Sequence, residues 1–206
     1  MSEPREDRRI MRTRQLITEA FLHILLKKPY ADISVVDIAE RANINRSTFY
    51  AHFLDKEDLL DKLVGEKLGG LRQALDYCAA ASEWRPAFNE ADPIFVHLFD
   101  HAFEHNAFYQ IMSVSHPVGH FSSMLTDIIK DSFLARISRH GLDQKVQVPL
   151  DLLLDHIGCS TTGILVKWLA DNSIYSPRHM ALQLTRVAWL GVYAAMGAAE
   201  TKPHST

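Results

Sequence analysis

Between positions 45 and 56 the chain carries a dense run of hydrogen-bond donors: Asn45, Arg46, Ser47, Thr48, Tyr50, His52 and Lys56. The chemistry they suit is recognition of a polymer of phosphates and base edges. Arg46 can fork onto guanine or phosphate, and Ser47 and Thr48 can meet either base edges or phosphates. Tyr50, His52 and Lys56 are donors fitted to a flanking phosphodiester backbone. Lys56 also stands at the start of the next predicted helix, where free N–H groups and the helix dipole attract phosphate. Phe49 and Phe53, four residues apart, share a helix face and can anchor the segment from behind. With Phe49 inward, Ser47 and Ala51 point most directly away, flanked by Arg46, Thr48 and Tyr50. A helix with a small tip and polar edges can descend into a duplex groove.

A second set of chemical residues is His97, His101 and His105, with Asp100 and Glu104 beside them and His116 and His120 further on. Histidines at i, i+4 can ligate zinc. A helical histidine stripe is more ordinarily a solvated or interface surface, and the chain has no HExxH, nucleophile elbow or phosphate loop. We therefore expect no cofactor, no metal and no enzyme; a metal-dependent enzyme built on this stripe is a remote alternative. Aromatic residues crowd the middle of the chain, among them Phe95, Phe99, Phe103, Tyr109 and Phe121, and Trp168 follows later. At helical spacing such residues are more often packed core than pocket lining.

The elements that must position these residues are all helical. The chain has 206 residues, is 47% apolar and carries a net charge of −3. That length suffices to bury about 70% of the unfolded chain's surface, and the charge requires any nucleic-acid contact to come from a local basic patch. Cys78 and Cys159 form no metal-binding or redox spacing. The charged N-terminal segment lacks a signal-peptide pattern. The apolar run 189–199 is shorter than the ~20 residues a membrane span takes. We expect a soluble, cytoplasmic protein with no membrane contact.

Prolines fall between stretches of helical periodicity, and nine helices are predicted, over residues 8–27, 34–41, 46–53, 55–81, 93–105, 106–113, 121–140, 150–171 and 177–199. The first should bury Ile10, Ile17, Ala20, Phe21, Ile24 and Leu25 on one face, and its start carries Arg5, Arg8, Arg9, Arg12 and Arg14. Ser34, three residues before Asp37, predicts a capping box. Val36, Ile38 and Ala39 should face inward. Asn43 suits a left-handed turn, Ile44 fills it, and Asn45 can cap the helix that follows. Two short helices joined this way make a helix-turn-helix. Gly141, after Arg136, Arg139 and His140, predicts a helix end with cations on the dipole.

These residues resemble the TetR/AcrR family of bacterial regulators. Ser34, Asp37-Ile38-Ala39, Ala42, Ile44, Thr48-Phe49-Tyr50, His52-Phe53, Lys56 and Leu59 stand in the family's order and spacing. Asn43 replaces the usual glycine, Asn45 a serine and Ser47 a glycine. The string from Ile44 to Leu60 and the later GILVKWLADN resemble a Firmicutes-type branch that includes regulators of dihydroxyacetone kinase operons. The resemblance implies a three-helix DNA-binding domain over 8–67 and a larger helical effector-binding and dimerisation domain over 68–200. It implies double-stranded operator DNA as partner, contacted by Ser34, Asn45, Arg46, Ser47, Thr48, Tyr50, His52 and Lys56. It also implies a homodimer through helices 150–171 and 177–199, whose small and apolar residues agree with burial on more than one face. An unknown small-molecule effector is implied among the middle helices, with Phe95, Phe99, Phe103, Tyr109, Phe121 and Trp168 as candidate lining. The function so implied is a ligand-responsive dimeric repressor; the alternative is an activator signalled by a partner protein.

Overall fold

The computed structural model describes residues 3–81, 89–115, 118–141 and 148–191. Among them are nine α-helices: α1 (Glu3–Leu25), α2 (Val35–Arg41), α3 (Arg46–Tyr50), α4 (Lys56–Ala81), α5 (Pro93–Glu104), α6 (Asn106–Gln110), α7 (Phe121–Arg139), α8 (Leu150–Ala170) and α9 (Pro177–Leu190). The all-helical expectation holds, and most ends fall where the sequence marks them. Pro93 and Pro177 sit in first turns, where a missing N–H costs nothing. The side chains of Asp92 and Ser176 cap those two helices. Gly141 follows α7 with φ +60°, the left-handed conformation that glycine adopts most readily.

Three expectations change. The predicted helix over 106–113 is α-helical only to Gln110; the chain then widens into a π-helical turn, Ile111–Ser115, in which Ile111 and Met112 are both buried. Ile10 is 41% exposed rather than buried. Val36 is exposed as well, leaving Ile38 and Ala39 to face the core. The part of the last predicted helix beyond 191 lies outside the described residues.

Helix α1 packs on α2, and α2 on α3. Helix α4 runs without interruption from this group into the rest of the molecule, where it packs on α5 and α7. Helix α8 lies on α7 and α6, and α9 lies on α5. One apolar core continues from Ile17 to Leu184. The proposed boundary near residue 67 therefore falls within a continuous helix and a continuous core.

Inside that core, among the described residues, lies a buried ion pair. Arg136 donates from Nη1 and Nη2 to the Asp92 carboxylate at 2.6 and 2.8 Å, and both side chains are buried. The Asp92 N–H donates to the Thr185 hydroxyl at 2.8 Å, and that hydroxyl donates to the Ala181 carbonyl at 2.7 Å. Thus the start of α5 is joined to both α7 and α9. Arg136, which in sequence looks like a cation for the α7 dipole, is instead committed here. A little further along, His101 of α5 faces α4, with Nε2 3.6 Å from where a Cβ on Gly70 would stand. Burial, then His105 and Lys67, push the His101 pKa down to about 4.

Arg136→Ala should destabilise the fold by about 3–5 kcal/mol, the range for stranding a buried charge. Urea denaturation at fixed protein concentration checks this; a loss under about 1 kcal/mol would contradict it. His101 is neutral when folded and takes a proton more readily when unfolded. Stability should therefore be full above pH 6.5 and fall as pH drops towards 4. In His101→Gln that slope should be shallower, as read from urea midpoints at pH 7 and pH 5.

Candidate nucleic-acid interface

Ser34 begins α2 through a reciprocal capping box. Its hydroxyl accepts from the Asp37 N–H at 3.2 Å, and the Asp37 carboxylate accepts from the Ser34 N–H at 2.8 Å. The Ser34 hydroxyl also donates to that carboxylate, and Lys28 adds a contact at 3.1 Å. These donors, led by the Ser34 backbone N–H, hold the Asp37 pKa down at about 2. Ser34 is exposed, but its hydroxyl proton is already committed.

The turn from α2 to α3 closes on Asn43, whose φ is +53°. The Asn43 N–H donates to the Glu40 carbonyl and the Ile44 N–H to the Ala39 carbonyl, which is the Schellman pattern. Asparagine tolerates this conformation, so the departure from glycine leaves the turn intact. Ile44 packs against the core. Asn45 holds the N-cap position of α3 through its backbone, since its carbonyl accepts from Thr48 and Phe49. Its side chain makes no capping bond, contrary to expectation, and is exposed.

Helix α3 is only five residues long and ends at Tyr50, shorter than the predicted 46–53. Phe49 has no exposed surface and Phe53 almost none, with ring centroids 5.8 Å apart. The Arg14 guanidinium of α1 lies 5.4 Å from the Phe53 centroid. On the outer side Arg46, Ser47 and Ala51 are exposed, Thr48 is half-buried and Tyr50 is 49% exposed. The Tyr50 ring stands edge-on to Phe49 at 5.6 Å, which sets its direction. His52 is half-buried; burial and then Arg14 lower its pKa, so near pH 7 it is a neutral donor.

Lys56 is placed differently from the expected phosphate contact. Its ammonium donates to the carbonyls of Tyr30, Ala31 and Ile33 at 3.1, 3.3 and 2.9 Å. It also lies 4.6 Å from the Tyr30 ring centroid. Lys56 thus ties the first turn of α4 to the 3-10 turn Tyr30–Asp32. Lys28 and Arg14, which sequence reasoning did not assign to the site, serve as braces here. Arg14 meets Phe53 across a long stretch of chain, so no local spacing could reveal it.

The candidate effector residues are placed in packed core. Phe95, Phe99, Tyr109, Phe121 and Trp168 are buried, while Phe103 is 51% exposed. They pack pairwise: Phe95 on Phe133, Phe99 on Trp168, Tyr109 on Phe121. None of the six lines the 830 Å³ cavity, which lies instead between α1, α4 and the α5–α6 corner, with Met11, Arg14, Leu63, Lys67, His105 and Phe108 on its walls. In this structure the rings of these residues pack against one another as core. Of the histidine stripe, His101 and His105 come together, with ring centroids 4.6 Å apart, while His97 is exposed. Tyr109 Oη lies 3.1 Å from His101 Nδ1. Among the described residues no group of three His, Cys, Asp or Glu side chains is arranged to hold a metal ion, and no helix is long and apolar enough to cross a membrane.

Residues 17–63 match the family model for bacterial regulatory proteins of the tetR family, and residues 89–188 match that for a transcriptional regulator C-terminal region of the TetR type. The HTH-type transcriptional regulator YxbF of Bacillus subtilis is 27% identical over 186 residues, covering 87% of this chain and 45% of the relative. DhaS of Lactococcus lactis, an HTH-type dhaKLM operon transcriptional activator, is 42% identical over 48 residues, which is 23% of this chain and 26% of the relative. The chain spans less than half the length of these curated relatives. In fold it is similar to FadR from Bacillus subtilis, solved in complex with stearoyl-CoA, at a TM-score of 0.66 and 16% identity, covering 86% of this chain and 98% of that one. With both models matched in order along one all-helical chain, this protein belongs to the TetR family of bacterial regulatory proteins.

Proposed function

We propose that the chain is a sequence-specific DNA-binding transcription regulator that inserts α3 into the major groove of an operator. The observation that carries this reading is the sidedness of α3. Phe49 is fully buried behind it, while Arg46, Ser47, Tyr50 and Ala51 present an outward surface of donors around a small centre. The Asn45 carboxamide, free of any capping duty, joins that surface. Thr48 and His52 sit at its edges, suited to the backbone. Ser34 contributes by fixing α2, and Lys56 by fixing the start of α4. Residues 8–67 form the reading head in this account and 68–200 the part that dimerises and senses.

Two half-sites need two reading heads, so the working form is a homodimer. Its supporting surface is the side of α8 turned from α7, where Leu152, Cys159 and Gly163 are exposed, together with Val187 of α9. A small-molecule effector would act by favouring one spacing of the two heads, for which a coupling of ~1–3 kcal/mol is typical. The likeness to a FadR solved with a ligand supports a sensing role. Helix α4 is the lever, since Lys56 ties one end of it to the segment ahead of α2 and its other end packs on α5 and α7. Repression is the first reading. Activation is the second, favoured by the 48-residue match to a relative described as an activator.

Arg46→Ala and Tyr50→Ala should each lower operator affinity at least ~10-fold, in the range of one lost base contact, with dimerisation unchanged by light scattering. Unchanged gel shifts for both would sink the reading. Lys56→Met should behave otherwise: it should lower stability by about 1.5 kcal/mol through its lost carbonyl partners, and leave the salt dependence of binding unaltered.

A further inference from the structure

Arg8, Arg9 and Arg12 stand at i, i+1 and i+4, the spacing that keeps side chains on one side of a helix within an arc of about 100°. Arg8, Arg9 and Arg12 are exposed on α1. None of these three guanidinium groups makes an ion pair with a described side chain. The nearest acid that follows, Glu19, is a full two turns beyond Arg12 and accepts from Gln15. Arg14 points to the other side of the helix and covers Phe53 at the corner between α3 and α4. Each residue advances ~1.5 Å along the axis, so Arg12 lies about 3 Å from Arg14 along α1.

Such a stripe works against the helix that carries it. Like charges three and four residues apart repel. The chain as a whole is acidic, with a net charge of −3, so a cluster of three exposed arginines stands out against it. That penalty reverses when a polyanion lies alongside.

We propose that this arginine stripe is a second DNA-contacting surface, which grips phosphates flanking the bases that α3 reads. The proposal rests on the reading of α3 as a DNA-binding helix. From Arg8 to Arg12 the cluster is about 6 Å long, enough to face roughly two phosphates of one strand spaced ~3.4 Å along the duplex axis. Guanidinium groups fork onto phosphate oxygens, which favours arginine for the task. The contact carries no base preference; it widens the footprint and steepens the salt dependence.

The test uses the full chain and a duplex that it enriches from a randomised double-stranded pool, either with its flanks or trimmed to the enriched core. The variant R8Q/R9Q/R12Q should keep its preference for the core sequence but lose about 2 units of the log–log salt slope on the flanked duplex, near 0.9 per phosphate contact. Trimming the flanks should produce the same loss in the parent chain and little in the variant. R8K/R9K/R12K, which retains the charge, should restore most of the slope, and unchanged circular dichroism shows that α1 persists. Equal slopes for the parent and the glutamine variant on both duplexes would overturn the stripe while leaving α3 as the reader. Failure of the parent chain to enrich any duplex would overturn both.

Discussion

A five-residue helix cannot hold itself together in water, because nucleation costs more than so few hydrogen bonds return. Everything that α3 presents outward therefore depends on what holds it from behind, and that is the Phe49 ring. Phe49 buries its whole side chain in the apolar core beside Phe53, a contribution of roughly 1.5–3 kcal/mol. Phe53 continues the same surface and is covered in turn by Arg14. Ile44 locks the turn in front, where the Schellman bonds of Asn43 and Ile44 set the angle between α2 and α3. The site is thus a stiff, preformed surface, with its order supplied by side chains that never face the partner.

The same economy of contacts links the reading head to the rest of the molecule. Lys56 ties the first turn of α4 to the segment between α1 and α2. Further along, α4 meets α5 and α7, and the Asp92–Arg136 pair fastens α5 to α7 and α9. A displacement at the core end of α4 has a packed and hydrogen-bonded route to α3. In the proposed function this chain of contacts is what an effector would bias.

The sequence makes the elements that follow local rules legible. Capping at Ser34, the left-handed turn at Asn43, proline starts at Pro93 and Pro177, and the glycine end at Gly141 all depend on neighbours a few residues away, and all appear in the structure. The anchors Phe49 and Phe53 were visible for the same reason. What stayed hidden depends on distant parts of the chain. Ile10 and Val36 fit the apolar spacing yet stay 41% and 38% exposed. The middle aromatics have the composition of a pocket, but their rings close on one another. Arg136 looks like an ordinary cation at a helix end, and only the fold reveals Asp92 beside it. Lys56 has the right position for phosphate, whereas three carbonyls from a preceding turn claim its ammonium. Periodicity reports which face is apolar; it does not report what meets that face.

The most direct test of the central claim is oxidative side-chain footprinting of the full chain with and without its enriched duplex. Tyr50, on the outer face of α3, and Tyr77, at the far end of α4, are both exposed and should both be labelled in free protein. Duplex should strongly suppress labelling at Tyr50 and leave Tyr77 as it was. Undiminished labelling of Tyr50 at saturating duplex would mean that DNA is held by some other part of the molecule.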